Sequence, residues 1–293
     1  MLEIQNLTKY YRNVTAIENL SFTVNRGRIF GLLGPNGAGK TTTIRIILDI
    51  IKSSHGLVKF DGDIASKHFQ DIIGYLPEER GLYKKSRVID VIEYLAKLKN
   101  CPPKDSIQNA KMLMEKLDVW QFRSRRIEEL SKGNQQKIQF ITALAHKPEV
   151  LILDEPFSGL DPINQKIVRE IIQEFIDDGK IVILSTHLLE MAENLVEDIL
   201  LLNNGKNILN GSLKDIKVSH GKNTFLLKFC GDIKKLENIR EITVNILDEY
   251  SVEVNLGNFT SGQFLKEVSG LIDINHFSYI EPTLNSIFLE TIK

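Results

Sequence analysis

Apolar residues recur along this chain with two different periods, and the periods predict its elements. Val150-Leu151-Ile152-Leu153 is an unbroken apolar run, the pattern of a strand buried on both faces of a parallel sheet. Arg28-Ile29-Phe30-Gly31-Leu32-Leu33 and Lys180-Ile181-Val182-Ile183-Leu184 read the same way. Between Thr41 and Ile51 the spacing changes: Ile44, Ile47, Leu48 and Ile51 share one face of a helix. The same spacing governs residues 86 to 145, where Val88, Val91, Ile92, Leu95 and Leu98 form one stripe and Ile107, Ala110, Met114 and Leu117 another. Met1-Leu2-Glu3-Ile4 opens in a strand-like pattern.

After Gly211 the character shifts. Lys222 to Phe229, Ile242 to Leu247 and Ser251 to Leu256 are strand-like, and Val252, Val254 and Leu256 alternate with Glu253 and Asn255, which leaves one face to bury. Thr260 or Ser261 can cap a short helix through Val268, and Thr283 a last one with Leu284, Ile287, Phe288 and Ile292 on one side. The prediction is an α/β core followed by a small α+β appendage.

Composition narrows the functional classes. The 293 residues suffice for one large domain, or a large and a small one, and 42% hydrophobic with 26% charged residues is ordinary for a globular protein. A net charge of -1 gives no electrostatic case for nucleic acid. The longest apolar runs fall far short of the roughly 20 residues needed to span a bilayer. The N-terminus lacks the basic flank and apolar stretch of a secretory signal. Cys101 and Cys230 fit no metal spacing and read as reduced thiols of a cytosolic compartment.

The candidate chemistry starts at Gly34-Pro35-Asn36-Gly37-Ala38-Gly39-Lys40-Thr41, which matches the phosphate-binding P-loop pattern between a predicted strand and helix. Glycines let the backbone wrap closely, and the unpartnered N–H groups and positive dipole at a helix start stabilise phosphate oxygens. Lys40 reaches the outer phosphates as a point charge, the Thr41 hydroxyl ligates magnesium, and Thr42 is a further phosphate donor. The strand at 150 ends in Asp154-Glu155-Pro156. At that sheet edge ligands bind, so Asp154 is expected to hold magnesium and Glu155 to act as general base towards the attacking water. The strand at 180 ends in Ser185-Thr186-His187, which puts His187 at the same edge, with a role at the γ-phosphate and in holding Glu155.

Ser158-Gly159-Leu160-Asp161-Pro162 follows, and Leu130-Ser131-Lys132-Gly133-Asn134-Gln135-Gln136 precedes, a further helical pattern beginning at Lys137. Together these segments resemble the ATP-binding subunit of an ABC transporter: Walker A at 34 to 41, signature at 130 to 135, Walker B at 150 to 155, D-loop at 158 to 162 and switch histidine at 187. The resemblance implies an α/β P-loop NTPase of ABC type over residues 1–215, a mixed-sheet core with a β-subdomain and a helical subdomain at about 86–145, then a small α+β domain at 220–293. It implies ATP and Mg2+ as cofactors, and a homodimer that sandwiches two ATP molecules head to tail. Ser131 and Gly133 would then contact the γ-phosphate held by the Lys40 of the other subunit. Tyr11 takes the place of the residue that stacks on adenine, with Tyr10 as the alternative one residue away. A membrane-spanning transporter subunit is the implied partner, docking its coupling helix near Glu78 to Tyr83, with the ATPase cytoplasmic and peripheral on the inner face of the membrane.

The sequence also departs from that family. Lys132 stands where a glycine is usual and Asn134 where glutamine is common, while Gly133, expected to tolerate a positive φ, is retained. In Leu76-Pro77-Glu78-Glu79-Arg80-Gly81-Leu82-Tyr83, Glu78 replaces the glutamine that faces magnesium, adding negative charge beside Asp154 and Glu155. These variants resemble the ATPases of ABC-2 type exporters of the sodium-efflux-like branch, as does the closing stretch from Glu281 to Phe288. The expected function is ATP hydrolysis that powers an exporter through dimer closure. A soluble ABC-type ATPase in a non-transport process is the alternative, although the tandem cassettes or coiled coils of such proteins are not present here. A module that binds nucleotide without hydrolysing it is disfavoured by Glu155 with His187.

Overall fold

The computed structural model describes residues 1–79, 81–221, 223–231 and 242–292. The chain divides into two units, Met1–Leu213 and Lys214–Lys293.

In the first unit, β1 (Leu2–Tyr11), β2 (Val14–Val24), β4 (His55–Phe60) and β5 (Asp63–Ile64) form an antiparallel sheet in the order β2-β1-β4-β5. Leu2 and Ile4 face the core at 0% and 1% exposure, Phe22 stacks on Phe30 at 5.1 Å between ring centres, and the two sheets of this unit share that core.

The second sheet contains β3 (Arg28–Leu33), β6 (Ile73–Leu76), β7 (Val150–Asp154), β8 (Ile181–Thr186), β9 (Asp198–Asn203) and β10 (Lys206–Ser212), in the order β10-β9-β3-β8-β7-β6. All neighbours pair in parallel except β9 with β10. Every residue of β7 and β8 is buried, as their unbroken apolar runs require. Register sets the position of the site. Leu33 pairs with Thr186, Asp154 with Ser185 and Leu76 with Leu153, so four strands end level and deliver the residues after them to one edge.

Helices α1 (Lys40–Ile47), α2 (Lys67–Asp71), α3 (Val88–Leu98), α4 (Pro103–Lys116), α5 (Lys132–Leu144), α6 (Pro162–Asp177) and α7 (Leu189–Glu193) complete the unit. The first helix is shorter than the Thr41–Ile51 expected. Asp49 adopts a left-handed φ of 54°, which aspartate with its short polar side chain tolerates, and Ile50 is turned out at 61% exposure. Of the predicted α3 stripe, Val88, Val91 and Ile92 are buried, whereas Leu98 is 58% exposed.

The second unit opens with α8, which runs from Leu213 to His220 across the boundary. Strands β11 (Thr224–Cys230), β12 (Thr243–Asp248), β13 (Ser251–Asn255) and β14 (Asp273–Tyr279) form an antiparallel sheet, β12-β13-β11-β14. Lys222, the expected start of β11, lies outside the described residues. Thr260 is the cap of α9 (Ser261–Val268): its hydroxyl accepts from the backbone of Gln263, which returns the bond in a capping box. Thr283 caps α10 (Leu284–Thr291), which buries Leu284 and Ile287, while Ile292 beyond the helix is 42% exposed. The strand at 273–279 was not anticipated, because Asn275 and His276 interrupt its alternation.

Candidate functional site

The loop from Gly34 to Gly39 joins β3 to α1, and its backbone conformation explains its composition. Gly34 has φ 141°, and a Cβ there would meet Leu202 O at 2.2 Å. Gly39 caps α1 at φ 106°, with Ile17 Cγ2 2.7 Å and Ala16 O 2.8 Å from where a Cβ would stand. Only glycine combines such φ values with so little space. Gly37 is free of neighbours but also has positive φ, 79°.

Lys40, 7% exposed, donates from Nζ to Gly34 O at 2.7 Å and Pro35 O at 3.1 Å. Burial lowers its pKa, and the charges of Glu155, Asp154 and Glu78 act in the opposite direction. Asp154, the last residue of β7, is 2% exposed. Its carboxyl is pushed above the ordinary range by burial, and Glu78 and Glu155 reinforce that rise.

Glu155 leaves the strand at φ 50°, a left-handed conformation rare for its type. Its backbone N–H donates to Ser185 O at 2.9 Å. Its carboxylate accepts from Thr186 Oγ1 at 2.8 Å, His187 N at 2.9 Å and His187 Nδ1 at 2.6 Å. The turn aims the carboxylate across the ends of β7 and β8, and three donors hold it there.

One cavity of about 570 Å³ gathers most of these groups. It is lined by Asn36, Gly37, Ala38, Gly39, Lys40, Thr41, Thr42, Glu78, Asp154 and Glu155, with Val14, Thr15, Ala16, Asn204 and Gly205. Gly34 and Pro35 contact it through the Lys40 ammonium, and His187 through Glu155. Tyr11, 44% exposed, does not line it; the Lys9 ammonium lies 5.1 Å from its ring centre, and in the sheet it pairs with Val14, which does.

Ser131 and Gly133 are not brought to this cavity. Ser131 caps α5, its hydroxyl accepting from Asn134 N at 3.3 Å, and Lys132 is exposed. Gly133 corrects the expectation of a positive φ: it lies within the first turn of α5 and is not among the left-handed residues. Its constraint is proximity, since a Cβ would stand 3.3 Å from Gly159 O in the loop after Glu155.

Sequence reading missed the Asn204-Gly205 turn. Both residues have positive φ, 49° and 76°, as a tight two-residue hairpin demands. Gly205 N donates to Ala38 O at 3.0 Å and Glu18 N donates to Gly205 O at 2.8 Å, so the turn ties the P-loop to β2. The Asn-Gly dipeptide between two apolar runs signals the turn; its docking on the P-loop is a tertiary fact.

The chain is similar to the uncharacterized ABC transporter ATP-binding protein YhaQ of Bacillus subtilis (strain 168), 38% identical over 293 residues, which is 100% of this chain and 98% of the relative. It belongs to the ABC transporter ATP-binding proteins. The ABC transporter family matches residues 17–158, and the C-terminal domain of DrrA1-3-like ATP-binding proteins matches 211–292. The linearmycin resistance ATP-binding protein LnrL of Bacillus subtilis (strain 168) is 27% identical over 303 aligned residues, covering 99% of this chain and 97% of the relative. Among solved structures, the ATP binding subunit of an ABC transporter superposes with a TM-score of 0.71 at 29% identity, over 75% of this chain and 92% of that one. This ABC protein is therefore an ATPase subunit of a transporter, with the cassette fold and a DrrA-like C-terminal domain. Among its described residues no helix is long and apolar enough to cross a membrane.

Proposed function

We propose that this ABC ATPase powers an exporter by closing as a dimer around ATP and reopening after hydrolysis. The observation that carries the reading is the meeting of Lys40, Asp154 and Glu155 in one cavity, beside the first turn of α1. The N–H groups of the P-loop and the α1 terminus would bind the phosphates, and Lys40 would leave its loop carbonyls for the terminal phosphoryl group. Glu155 would accept a proton from the attacking water, held in orientation by Thr186 and His187. His187 would contact the γ-phosphate, and Tyr11 the adenine.

The donors present suit magnesium. Asp154, Glu78 and Thr41, which all line the cavity, carry hard oxygens. Among the described residues no group of three or more acidic, histidine or cysteine side chains forms a cage, so the phosphates would complete the shell, as is usual for this ion. Magnesium bound there would neutralise charge on the β- and γ-phosphates.

Ser131 and Gly133, which do not line this cavity but stand at the start of a helix, suit a role towards a second subunit's nucleotide. Exposed Tyr83 and Tyr94, edge to face at 5.8 Å, offer an apolar site for a membrane subunit, which would place the ATPase on the inner face of the membrane. Export is supported by the likeness to LnrL. Purification of the tagged protein from detergent-solubilised membranes tests the transport role. A stoichiometric multi-span partner is expected, and its absence would favour a soluble ATPase.

A further inference from the structure

Glu78 reaches the nucleotide cavity from a loop, and a side chain on another element holds that loop. Gln139, near the middle of α5, is 3% exposed. Its Nε2 donates to Pro77 O at 3.1 Å and to Glu79 O at 2.9 Å, the carbonyls on either side of Glu78. Its Oε1 is buried without a hydrogen-bond partner among the described residues. A buried amide with an orphaned acceptor is costly, because the desolvation of that oxygen goes uncompensated. A methionine or leucine would fill this space without that cost, so packing alone does not explain the residue. Both donor hydrogens are spent on fixing one tripeptide, Pro77-Glu78-Glu79.

The rest of α5 is fastened along the same strand. Gly74 in β6 lies under Ala143: a Cβ at 74 would stand 2.1 Å from Ala143 O. His146, just beyond the helix, donates from Nε2 to Ile73 O at 3.1 Å. The start of β6, the loop carrying Glu78 and the helix capped by Ser131 are therefore held together at three points. Gln139 lies eight residues from Ser131, about 12 Å along the helix axis.

We propose that Gln139 is the positioning residue for Glu78, setting the carboxylate against the magnesium site and making its placement depend on the helix that carries Ser131. This inference rests on the reading of Glu78 as a magnesium-site residue. Glu78 stands on an exposed loop, and a loop carboxylate held by fixed flanking carbonyls loses less freedom on binding a cation than one on a mobile segment. The effect acts through Glu78 and not on the phosphates, so it separates from nucleotide binding. Outer-shell partners of metal ligands typically alter metal affinity by about 10- to 100-fold. Gln139 contacts the backbone beside the ligand, which points to the lower end of that range.

The test uses the full chain loaded with a non-hydrolysable ATP analogue, and Mn2+ as the probe, read by electron paramagnetic resonance. Gln139→Met keeps the shape and removes the donors; Gln139→Leu, likewise uncharged and without donors, serves if the methionine variant folds poorly. The expected result is Mn2+ affinity about tenfold weaker, with metal-free nucleotide binding unaltered. Combined with Glu78→Gln, which alone should also weaken Mn2+, Gln139→Met should add nothing further, because both act through one carboxylate. If Glu78→Gln weakens Mn2+ and Gln139→Met does not, or if their effects add, the positioning role is overturned while Glu78 keeps its assignment. If neither changes Mn2+ affinity, the assignment of Glu78 itself falls, and the role of Gln139 with it.

Discussion

His187 offers two donors to a single oxygen of Glu155: its backbone N–H lies 2.9 Å and its ring Nδ1 2.6 Å from Oε1. The other oxygen accepts from Thr186 Oγ1 at 2.8 Å. A carboxylate can satisfy all three donors, since both its oxygens only accept. An amide at this position would turn its NH2 towards at least one of them. Glu155→Gln is therefore expected to disturb the arrangement as well as remove the base. Turnover should fall by about 10² to 10⁴ while ATP binding persists. Steady-state ATPase assays with equilibrium nucleotide binding check this, and undiminished hydrolysis would refute the role given to Glu155.

The glycines of the site predict a graded series. Gly34→Ala places a Cβ 2.2 Å from the backbone oxygen of Leu202 at φ 141°, and neither atom can move without shifting β9. Gly205→Ala meets Ala16 O at 2.7 Å with φ 76°. Gly37→Ala meets nothing within 4 Å and carries only the penalty of φ 79°. Expected losses are about 4, 2 to 3 and 1 kcal/mol respectively. Urea unfolding of the three variants checks the order. Gly37→Ala proving the most damaging would contradict it.

Much of this site is legible in the sequence because its anchors are local. β7 and β8 are unbroken apolar runs with polar tips, and parallel register then aligns Asp154 with Ser185 whatever the loops do. β1 and β2 are harder to read. Asn6 and Asn19 take left-handed φ values of 50°, and the register shifts that go with them break the alternation that reveals a strand. The wall formed by Val14 to Ala16 and Gly205 was missed for a different reason: the residues that meet there are separated by nearly the whole first unit. Gln139 carried no signal, because it is one of four amide side chains in α5, with Asn134, Gln135 and Gln136, and gains meaning only from the loop packed on it.

The second unit offers a local check on its own fold. The capping box of Thr260 and Gln263 satisfies backbone donors at both ends of the first turn of α9, which buries Phe264 and Val268. Thr260→Ala removes the hydroxyl acceptor and is expected to cost about 1 kcal/mol, and Thr260→Ser should restore most of it. Amide exchange in residues 261–268 reads the change directly. Equal exchange in all three proteins would show that the box contributes nothing.

His146 links the site's supporting helix to pH. Its Nε2–H is used on Ile73 O, its Nδ1 is buried without a partner among the described residues, and burial, with Lys99 adding to it, lowers its pKa from 6.5 to about 4. An unfolded chain takes up this proton near pH 6.5, whereas the folded chain resists it until about pH 4. Between those values the unfolded state binds more protons, so the contribution is intact above pH 6.5 and is lost as the pH falls towards 4. The full loss is on the order of 3 kcal/mol. His146→Gln keeps a donor for Ile73 O but does not titrate. Its urea midpoint should fall less steeply between pH 7 and pH 4.5 than that of the parent, although carboxylates lower both. Parallel pH profiles for the two proteins would mean that His146 is protonated as easily in the fold as in water.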